Sequence, residues 1–542
     1  MDLWTIVIII THFVVAPFSA GHALLFKRDP RSAVGWISAC LLFPIFGPIA
    51  YGLFGINRVE SRARLLHEKR RTARIGFERG EQVIQVAKVP NRRELPKWLR
   101  PIRTLSASVT RNQLVGGNRV VPLFDGEQAY PRMLEAIGRA STSIVLMTYI
   151  LDTDKSGRQF VAALADAVKR GVDVRVLVDG FGERYSRPRA WRLLSDAGVR
   201  VERFLPIRLV PPSLHLNLRN HRKLLLIDNS VAFAGGMNIG DRHLVSDPDN
   251  KRPTQDLHFE FKGPIVSQLL TVFAETWAFV ADEQLPPAIY SDSEQRHRQL
   301  PADVSAPDAK SDSEIPSALS TNKGLLTPSD LDARNEDALH QNHSRQDTPD
   351  QDLLEDASQP YAQCRVVVDG PDNNLDKLET VLNGAIASAR RSIMIMTPYF
   401  LPSREMIAFL KTASLKGVDV TVVIPERTNL WYVQAATHNL IGELLQYGVR
   451  ILRQPSPFSH SKMVIIDKYY CVVGSANIDA RSLRLNFELG IEVISKHFAD
   501  SLLKYVDERI VDAKAYTLEE VDGRSLPVRL RDAFCWLFVP YL

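Results

Sequence analysis

Two stretches of the chain carry the same pattern of histidine, lysine and aspartate. "NHRKLLLIDNSVAFAGGMNIGD" begins at Asn220, and "SHSKMVIIDKYYCVVGSANIDA" begins at Ser459. The two align without a gap at an offset of 239 residues. The aligned pairs are His221 and His460, Lys223 and Lys462, Asp228 and Asp467, Gly236 and Ser475, and Asn238 and Asn477. A single match would be weak, whereas two matches in register within a repeat are a strong signal.

These residue types suit reaction at a phosphodiester. Two lysines can stabilise the non-bridging oxygens as negative charge builds. A neutral histidine can attack phosphorus and form a covalent phospho-enzyme, while a second, protonated histidine donates to the leaving alkoxide. Histidine titrates near neutrality, so the two can hold opposite protonation states. Each stretch supplies one histidine and one lysine, and we therefore expect one site at the interface of two parts.

The alternation of side chains along a strand places the residues of each motif on two different faces. His460 and Lys462 project from one face of a regular strand, whereas Asp467 has the opposite parity. The same holds in the first motif. Although both aspartates belong to the candidate catalytic set, parity favours a structural role for Asp228 and Asp467, such as accepting hydrogen bonds from turn amides.

A catalytic imidazole normally needs a partner that fixes its tautomer. One candidate follows each motif in a strand-like stretch, namely Asp256 in "TQDLHFEF" and Glu488 in "LNFELGIEV". The alternative for each is an ordinary carboxylate on the surface of a strand.

The elements around the motifs repeat as well. "AIGRASTSIVLMTYILD" from Ala136 resembles "AIASARRSIMIMTPYFLP" from Ala385, and "KRGVDVRVLVDG" from Lys169 resembles "LKGVDVTVVIPE" from Leu415. In each, a helix ends and a β-branched or apolar strand follows. This alternation predicts two α/β halves built on βαβ units, with a largely parallel sheet.

The amino-terminal region predicts a membrane anchor. Leu3 to Phe26 and Ser32 to Asn57 contain no Asp, Glu, Lys or Arg, and each run is long enough to cross a hydrocarbon core of roughly 30 Å as a helix. Pro44 and Pro48 predict a kink in the second run. The positive-inside tendency places the following basic stretch, and therefore both ends of the hairpin, in the cytoplasm.

Charge is unevenly distributed beyond the anchor. Arg58 to Arg111 holds 15 Lys/Arg against 5 Asp/Glu, whereas Asp282 to Pro360 holds 6 against 17. The first stretch predicts contact with an anionic surface and the second a disordered linker. The four cysteines are scattered without zinc-type spacing, which argues against a disulfide framework and favours a reducing compartment.

The doubled His-x-Lys-x4-Asp pattern resembles the phospholipase D superfamily and, more narrowly, bacterial cardiolipin synthases. "TPYFLP", "GGMNIGD", "GSANIDARSLRLNFE" and "RDPRSAVGWISACLLFPIFGPIAYGLFG" carry the resemblance. It implies two pseudo-twofold-related α/β sandwich halves. The expected division is a transmembrane hairpin (1–57), a basic juxtamembrane segment (58–118), the first half (119–282), an acidic disordered linker (283–360) and the second half (361–542).

The resemblance also implies the reaction. His221 would be the nucleophile and His460 the general acid, although the near symmetry of the halves leaves this choice open from sequence. Phosphate would be bound by Lys223, Lys462, Asn238 and Asn477, and the imidazoles would be oriented by Asp256 and Glu488. Two phosphatidylglycerol molecules would give cardiolipin and glycerol, with no cofactor and no metal. We expect a multi-pass protein of the bacterial inner membrane, with a cytoplasmic catalytic part.

Other functions of the same superfamily remain open at this point. One is a hydrolytic phospholipase D, or a transferase that uses phosphatidylethanolamine or a small alcohol as acceptor. Another is a nuclease, because basic segments also bind nucleic acid. The membrane anchor is poorly explained by a nuclease, so we expect anionic lipid, and no nucleic acid, as the partner. An inactive membrane scaffold is disfavoured because both motifs are intact.

Proteolytic cleavage within 283–360 should leave the two halves associated, because the linker is not expected to contribute to either core. Limited proteolysis followed by gel filtration in detergent tests this. Two fragments that co-elute would agree with the prediction, and fragments that separate or unfold would contradict it.

Overall fold

The computed structural model describes residues 5, 9–27, 30–55, 96–110, 112–206, 218–290, 361–371 and 374–539. The predictions for most of the basic segment (58–95) and for nearly all of the acidic linker (291–360) lie outside the described residues.

The described part of the amino-terminal region is helical. Helix α1 is Ala16–Phe26, α2 is Pro30–Leu42 and α3 is Phe46–Ala50. The break between α2 and α3 contains Pro44, which removes a backbone donor and interrupts the helix as predicted. Small side chains such as those of Ala20 and Ala23 pack with Tyr51 in a common cluster. In the part of the chain that the structure describes, no helix is both long and apolar enough to cross a membrane.

Seventeen strands follow in the described residues. Those of the first half are β1 (Val115–Phe124), β2 (Ser143–Thr148), β3 (Asp173–Asp179), β4 (Arg200–Phe204), β5 (Leu224–Ile227), β6 (Val231–Gly235), β7 (Thr254–Gln255) and β8 (Leu257–Lys262). Those of the second half are β9 (Ala362–Asp369), β10 (Ser392–Met396), β11 (Asp419–Pro425), β12 (Arg450–Gln454), β13 (Phe458–Ser459), β14 (Met463–Ile466), β15 (Tyr470–Gly474), β16 (Glu488–Ile494) and β17 (Lys514–Ala515).

Helices separate the strands in both halves. The basic segment ends in α4 (Arg100–Thr110). The first half contains α5 (Asp125–Arg139), α6 (Lys155–Lys169), α7 (Ala190–Asp196), α8 (Ile265–Ala281) and α9 (Pro287–Tyr290). The second half contains α10 (Lys377–Ser388), α11 (Arg404–Leu415), α12 (Trp431–Gln446), α13 (Lys496–Arg509), α14 (Leu518–Asp522) and α15 (Leu526–Trp536).

The sheet order confirms the internal repeat. Fifteen strands run in the order β17-β12-β11-β10-β14-β15-β16-β9-β1-β8-β6-β5-β2-β3-β4. Read outwards from the β9–β1 pair, the two halves have the same order of equivalent strands, except that β17 adds an edge strand to the second half. The antiparallel β1–β9 pair joins the halves into one sheet, so the halves share backbone hydrogen bonds as well as side-chain contacts.

The prediction of a largely parallel sheet was wrong, because the sheet is mixed. Within the fifteen-stranded sheet, parallel pairing is restricted to β2–β3–β4 and β10–β11–β12, and the separate β7–β13 pair is also parallel. Short turns connect β5 to β6 and β14 to β15, and such turns can join only antiparallel strands. At these turns Asp228, Asn229, Asp467 and Lys468 adopt positive φ angles.

Apolar side chains form one shared layer and two outer layers. The shared cluster contains residues of both halves, including Phe259 and Trp277 from the first and Phe498 from the second. The outer face of each half packs against its own helices. The paired strands β1 and β9 therefore contribute to the shared apolar layer. The amino ends of β5 and β14, which follow the two histidine–lysine motifs, lie between the two halves.

Asp228 and Asp467 brace the sheet, as strand parity predicted. Asp228 accepts hydrogen bonds from the backbone amides of Ser141, Thr142 and Ser143 at 2.8–2.9 Å, and also from the hydroxyls of Ser141 and Thr142. Burial raises its pKa, but these bonds outweigh burial and bring the pKa below its ordinary value.

Asp467 does the same in the second half. It accepts bonds from the amides of Arg390, Arg391 and Ser392 at 2.7–3.2 Å. Each aspartate therefore holds the amino end of a parallel strand, β2 or β10. Each lies at the far end of a four-residue strand from its own lysine, a placement that suits a structural role, and a part for either aspartate in catalysis stays a prediction.

Replacing Asp228 by alanine should lower the stability of the protein by about 1–3 kcal/mol, since buried amides would lose their acceptor. The midpoint of thermal unfolding in detergent is the measurement. Asp166→Ala is the matched control, because Asp166 is exposed and its bonded partner is the exposed Lys169. Equal midpoints for the two variants would contradict the bracing role.

Candidate active site

Backbone contacts between the halves position His221. Asn220 forms a parallel bridge with Phe487, and the backbone N–H of His221 donates to the Phe487 carbonyl at 3.0 Å. Because Phe487 precedes Glu488, the imidazole comes to lie against that carboxylate. His221 Nδ1 is 3.0 Å from Oε1 and 3.2 Å from Oε2 of Glu488.

An equivalent contact positions His460. Strand β13 pairs in parallel with β7 of the first half, and the His460 N–H donates to the Gln255 carbonyl at 2.7 Å. The next residue, Asp256, places Oδ2 at 2.7 Å from His460 Nδ1. Each carboxylate therefore lies beside the histidine of the other half. An ionised carboxylate only accepts hydrogen bonds, so this geometry puts the proton on Nδ1 and leaves Nε2 for chemistry.

The small motif residues after β6 and β15 fit the two carboxylates. Ser475 Oγ donates to Glu488 at 2.5 Å, and Asn486 Nδ2 donates to it at 3.2 Å. At the equivalent position, a Cβ on Gly236 would lie 2.5 Å from Oδ1 of Asp256. The shorter aspartate therefore requires the glycine, whereas the longer glutamate is held by the serine.

Both motif lysines are buried beside the histidines. Lys223 Nζ donates to the His221 carbonyl at 2.6 Å and lies 5.6 Å from the centre of the Tyr149 ring. Lys462 Nζ donates to the His460 carbonyl and lies 3.9 Å from Oδ2 of Asp256. Each ammonium group thus has a fixed position next to an imidazole.

One contact requires a choice of tautomer. His460 Nδ1 lies 2.7 Å from Lys462 Nζ as well as 2.7 Å from Asp256. A protonated Nδ1 cannot accept from an ammonium group. We assign the proton to the bond with Asp256, because Lys462 has the His460 carbonyl as its acceptor.

Burial controls protonation in the site. It lowers the pKa of Lys223 to about 7 and that of Lys462 to about 8. Burial and the Lys462 charge together lower the pKa of His460 to about 3, and burial also lowers the pKa of His221. Each lysine acts on the histidine of the other half, so the four side chains form one electrostatic unit.

The two carboxylates stay ionised in this unit. Burial raises the pKa of Asp256, but Lys462 and His460 outweigh it and bring the pKa well below its ordinary value. Burial likewise raises the pKa of Glu488, and His221 with Lys223 lowers it further than burial raises it. Both carboxylates can therefore accept from imidazole Nδ1 at neutral pH.

The two motif asparagines are buried. Asn238 Oδ1 accepts from the Ile150 amide at 3.1 Å, so its NH2 group is the part suited to a phosphate oxygen. Asn477 Oδ1 has no hydrogen-bond partner among the described residues. Phosphate binding by either side chain stays a prediction.

Some residues of the site were not singled out from the sequence. Arg222 is buried between the motif residues, and it donates to the carbonyls of Glu488 at 3.0 Å and Asp369 at 3.2 Å. Its alternation with His221 and Lys223 was the available signal, since it must face away from them. Arg222 thereby ties the first motif to the second half.

Aromatic rings cover both imidazoles. Tyr149 meets His221 edge-on, with ring centres 5.1 Å apart, and Tyr399 meets His460 edge-on at 6.2 Å. Both tyrosines follow equivalent strands, β2 and β10, but they stand one residue apart in the repeat, and the sequence did not show their contact with histidine. They form apolar walls on the histidine side of the sheet.

Comparison with known proteins agrees with this architecture. A family model described as "Cardiolipin synthase, PLD-like domain" matches residues 133–277 and 382–510. Another, described as "Phospholipase_D-nuclease N-terminal", matches residues 2–55. The two ranges matched by the first model correspond to the two halves of the sheet.

Individual proteins resemble the whole chain. The major cardiolipin synthase of Bacillus subtilis is 28% identical over 545 residues, covering 99% of each chain. Cardiolipin synthase A of Pseudomonas entomophila is 27% identical, covering 93% of this chain and 91% of its own.

Among solved structures, phosphatidylserine synthase of Haemophilus influenzae matches with a TM-score of 0.53 and 14% identity. The match covers 81% of this chain and 100% of that one, and supports the fold. With two phospholipase D-like repeats that share one histidine–lysine centre, the chain belongs to the phospholipase D superfamily, in the family described as cardiolipin synthase.

Proposed function

We propose that the protein is a membrane-bound phosphatidyltransferase that makes cardiolipin and glycerol from two phosphatidylglycerol molecules. The observation that carries the proposal is the pair of imidazoles, each bonded to a carboxylate of the other half and each beside a buried lysine. Relatives named cardiolipin synthase, similar along nearly the whole chain, support this choice of reaction.

In the first step, His221 Nε2 attacks the phosphorus of one phosphatidylglycerol. A P–N bond forms, and the bond from phosphorus to the headgroup glycerol oxygen breaks. His460 gives its proton to that oxygen, so glycerol leaves. Lys223 and Lys462 stabilise the charge on the non-bridging oxygens, a contribution that is large in a buried site.

In the second step, His460 acts as a base. It removes a proton from the headgroup hydroxyl of a second phosphatidylglycerol. The resulting alkoxide attacks phosphorus, the P–N bond breaks, and His221 regains its lone pair. One phosphodiester replaces another, so no nucleotide is consumed. Water must be kept away from the intermediate, or phosphatidic acid forms instead.

Binding of the substrate phosphate is expected to raise the pKa of His460, the general acid. Burial and Lys462 lower the pKa of His460 in the free site. A phosphodiester anion held between the two lysines offsets their positive charge, and an opposite charge nearby favours the protonated imidazole. In this account, His460 becomes an effective acid after the phosphate binds, with Asn238 and Asn477 as further phosphate ligands.

We further propose that the amino-terminal helices anchor the enzyme as a multi-pass hairpin, with the catalytic halves in the cytoplasm. Many large apolar side chains of this region are exposed, such as Phe18 at 75%, Leu25 at 78% and Phe46 at 76%. A lipid environment is the ordinary partner for such a surface. The basic stretch that follows favours an anionic leaflet on the cytoplasmic side.

Purified protein incubated with phosphatidylglycerol alone should produce cardiolipin and glycerol in equal amounts. His221→Ala and His460→Ala should each lower the rate by about 1,000-fold or more, since each removes a group that takes part in both steps. Thin-layer chromatography measures the cardiolipin, and an enzymatic assay measures the glycerol.

His497→Ala is the matched control, because His497 is an exposed histidine of α13, and it should retain full activity. Phosphatidic acid as the sole lipid product would favour the hydrolase. Full turnover in both motif variants would contradict the mechanism.

The value of kcat/KM should fall as the pH rises through about 7 to 8. Burial lowers the lysine pKa values to about 7 and 8, so both lysines lose their charge in this range and bind phosphate less well. The pH dependence of kcat/KM reports groups of the free enzyme.

Lys462→Arg provides a check on the assignment, because arginine keeps its charge at high pH. In this variant only Lys223 still titrates, so the fall should become a single step near pH 7 instead of extending from about 7 to 8. An alkaline limb near pH 10 in the wild type, typical of exposed lysine, would contradict the assignment.

A further inference from the structure

Helix α15 exposes a continuous row of large apolar side chains. Leu526, Leu530, Phe534, Leu537 and Phe538, here called the apolar stripe, have exposed fractions of 67%, 62%, 62%, 63% and 46%. Spacings of four, four and three residues place them on one face of a helix and the turn after it. Scattered exposed apolar residues are ordinary, but a contiguous row of this kind marks an interaction site.

The opposite face of α15 is firmly packed, so the exposure does not come from a frayed end. Cys535 is buried in a cluster with Val433 and Ala436 of α12. Asp532 is fully buried and accepts bonds from Arg524 and Arg531. The helix is therefore fixed to the second half with its apolar stripe facing outwards.

The packed face connects the helix to the histidine site. Tyr399 packs against the same cluster as Cys535, together with Trp536 of α15. Tyr399 also meets the ring of His460. Helix α12 begins at Trp431, which is 65% exposed and follows the carboxyl end of β11. The carboxyl-terminal end of the apolar stripe thus lies on the same side of the sheet as the reacting groups.

The charges beside the apolar stripe indicate its partner. Arg529 and Arg531 are exposed, and at about 100° per residue they fall on either flank of the stripe. Long cationic side chains that border an apolar helix face are typical of helices lying in the interface of an anionic bilayer. Arg529 can contribute about 1 kcal/mol near such a surface, whereas the charge of Arg531 is already paired with Asp532.

We propose that the apolar stripe of α15 docks on the surface of an anionic lipid bilayer. It acts as a second attachment point, separate from the amino-terminal helices, and holds the histidine side of the sheet against the leaflet that contains the substrate. The docking itself stands on the exposure and charge of α15, whereas its purpose rests on the proposed function.

A fluorescent label at the apolar stripe tests the docking directly. All four native cysteines are buried, so Leu530→Cys provides one exposed thiol for a polarity-sensitive dye. Full-length protein is reconstituted into phosphatidylglycerol vesicles with or without lipids brominated on their acyl chains. We expect a blue-shifted emission that brominated lipid quenches, because the label enters the acyl boundary.

Leu415→Cys is the matched control. Leu415 is 70% exposed at the end of α11, near the amino end of β11, on the edge of the sheet opposite the histidines. Its label should show neither shift nor quenching. If the label at 530 is unquenched, whether solvent-exposed or covered by protein such as a second copy of the chain, the docking proposal is overturned.

A kinetic experiment tests the purpose. The Leu530→Asp/Phe534→Asp variant should lower kcat/KM for vesicle phosphatidylglycerol by roughly tenfold or more, because two apolar side chains no longer enter the interface. Turnover of a short-chain phosphatidylglycerol below its micelle concentration should be unchanged. Equal losses on both substrates would overturn the purpose, and the quenching result would remain interpretable even if no cardiolipin forms.

Discussion

The hydrogen bond between each histidine and a carboxylate of the opposite half is the contact on which the site depends. His221 meets Glu488, and His460 meets Asp256. Both pairs follow from short backbone ladders that cross between the halves. Neither half can therefore set the tautomer of its own imidazole, and the site requires both halves.

The rest of the fold holds the two halves in the positions that these histidine–carboxylate bonds require. The β1–β9 pair joins the two sheets, the shared apolar layer fixes their separation, and Arg222 bonds carbonyls of the second half. Asp228 and Asp467 hold the amino ends of β2 and β10, which pair with the motif strands. With this framework fixed, the lysines can be buried beside the histidines, where their reduced pKa values match a phosphate-binding role near neutral pH.

Sequence reasoning located most of the candidate site, but not its connectivity. The constant offset of 239 residues identified both histidines and lysines, and period-two alternation separated Asp467 from His460. Alternation describes neighbours within a strand, so it carried no information about which carboxylate meets which histidine. The mixed sheet was missed for a related reason, because βαβ patterns at β2–β3 and β10–β11 were extended to the hairpins at β5–β6 and β14–β15. Which apolar side chains of α15 face outwards could be assigned only once its other face was seen to be packed.

The most direct test of this account is the trapping of the covalent intermediate. The protein is mixed with phosphatidylglycerol labelled in its phosphate, quenched in alkali within milliseconds, and digested for mass spectrometry under conditions that preserve phosphohistidine. The account predicts label on the peptide that contains His221, with none when Glu488 is replaced by alanine, because that imidazole loses its partner from the other half. Turnover without label on either motif histidine, or undiminished label in the Glu488 variant, would contradict it.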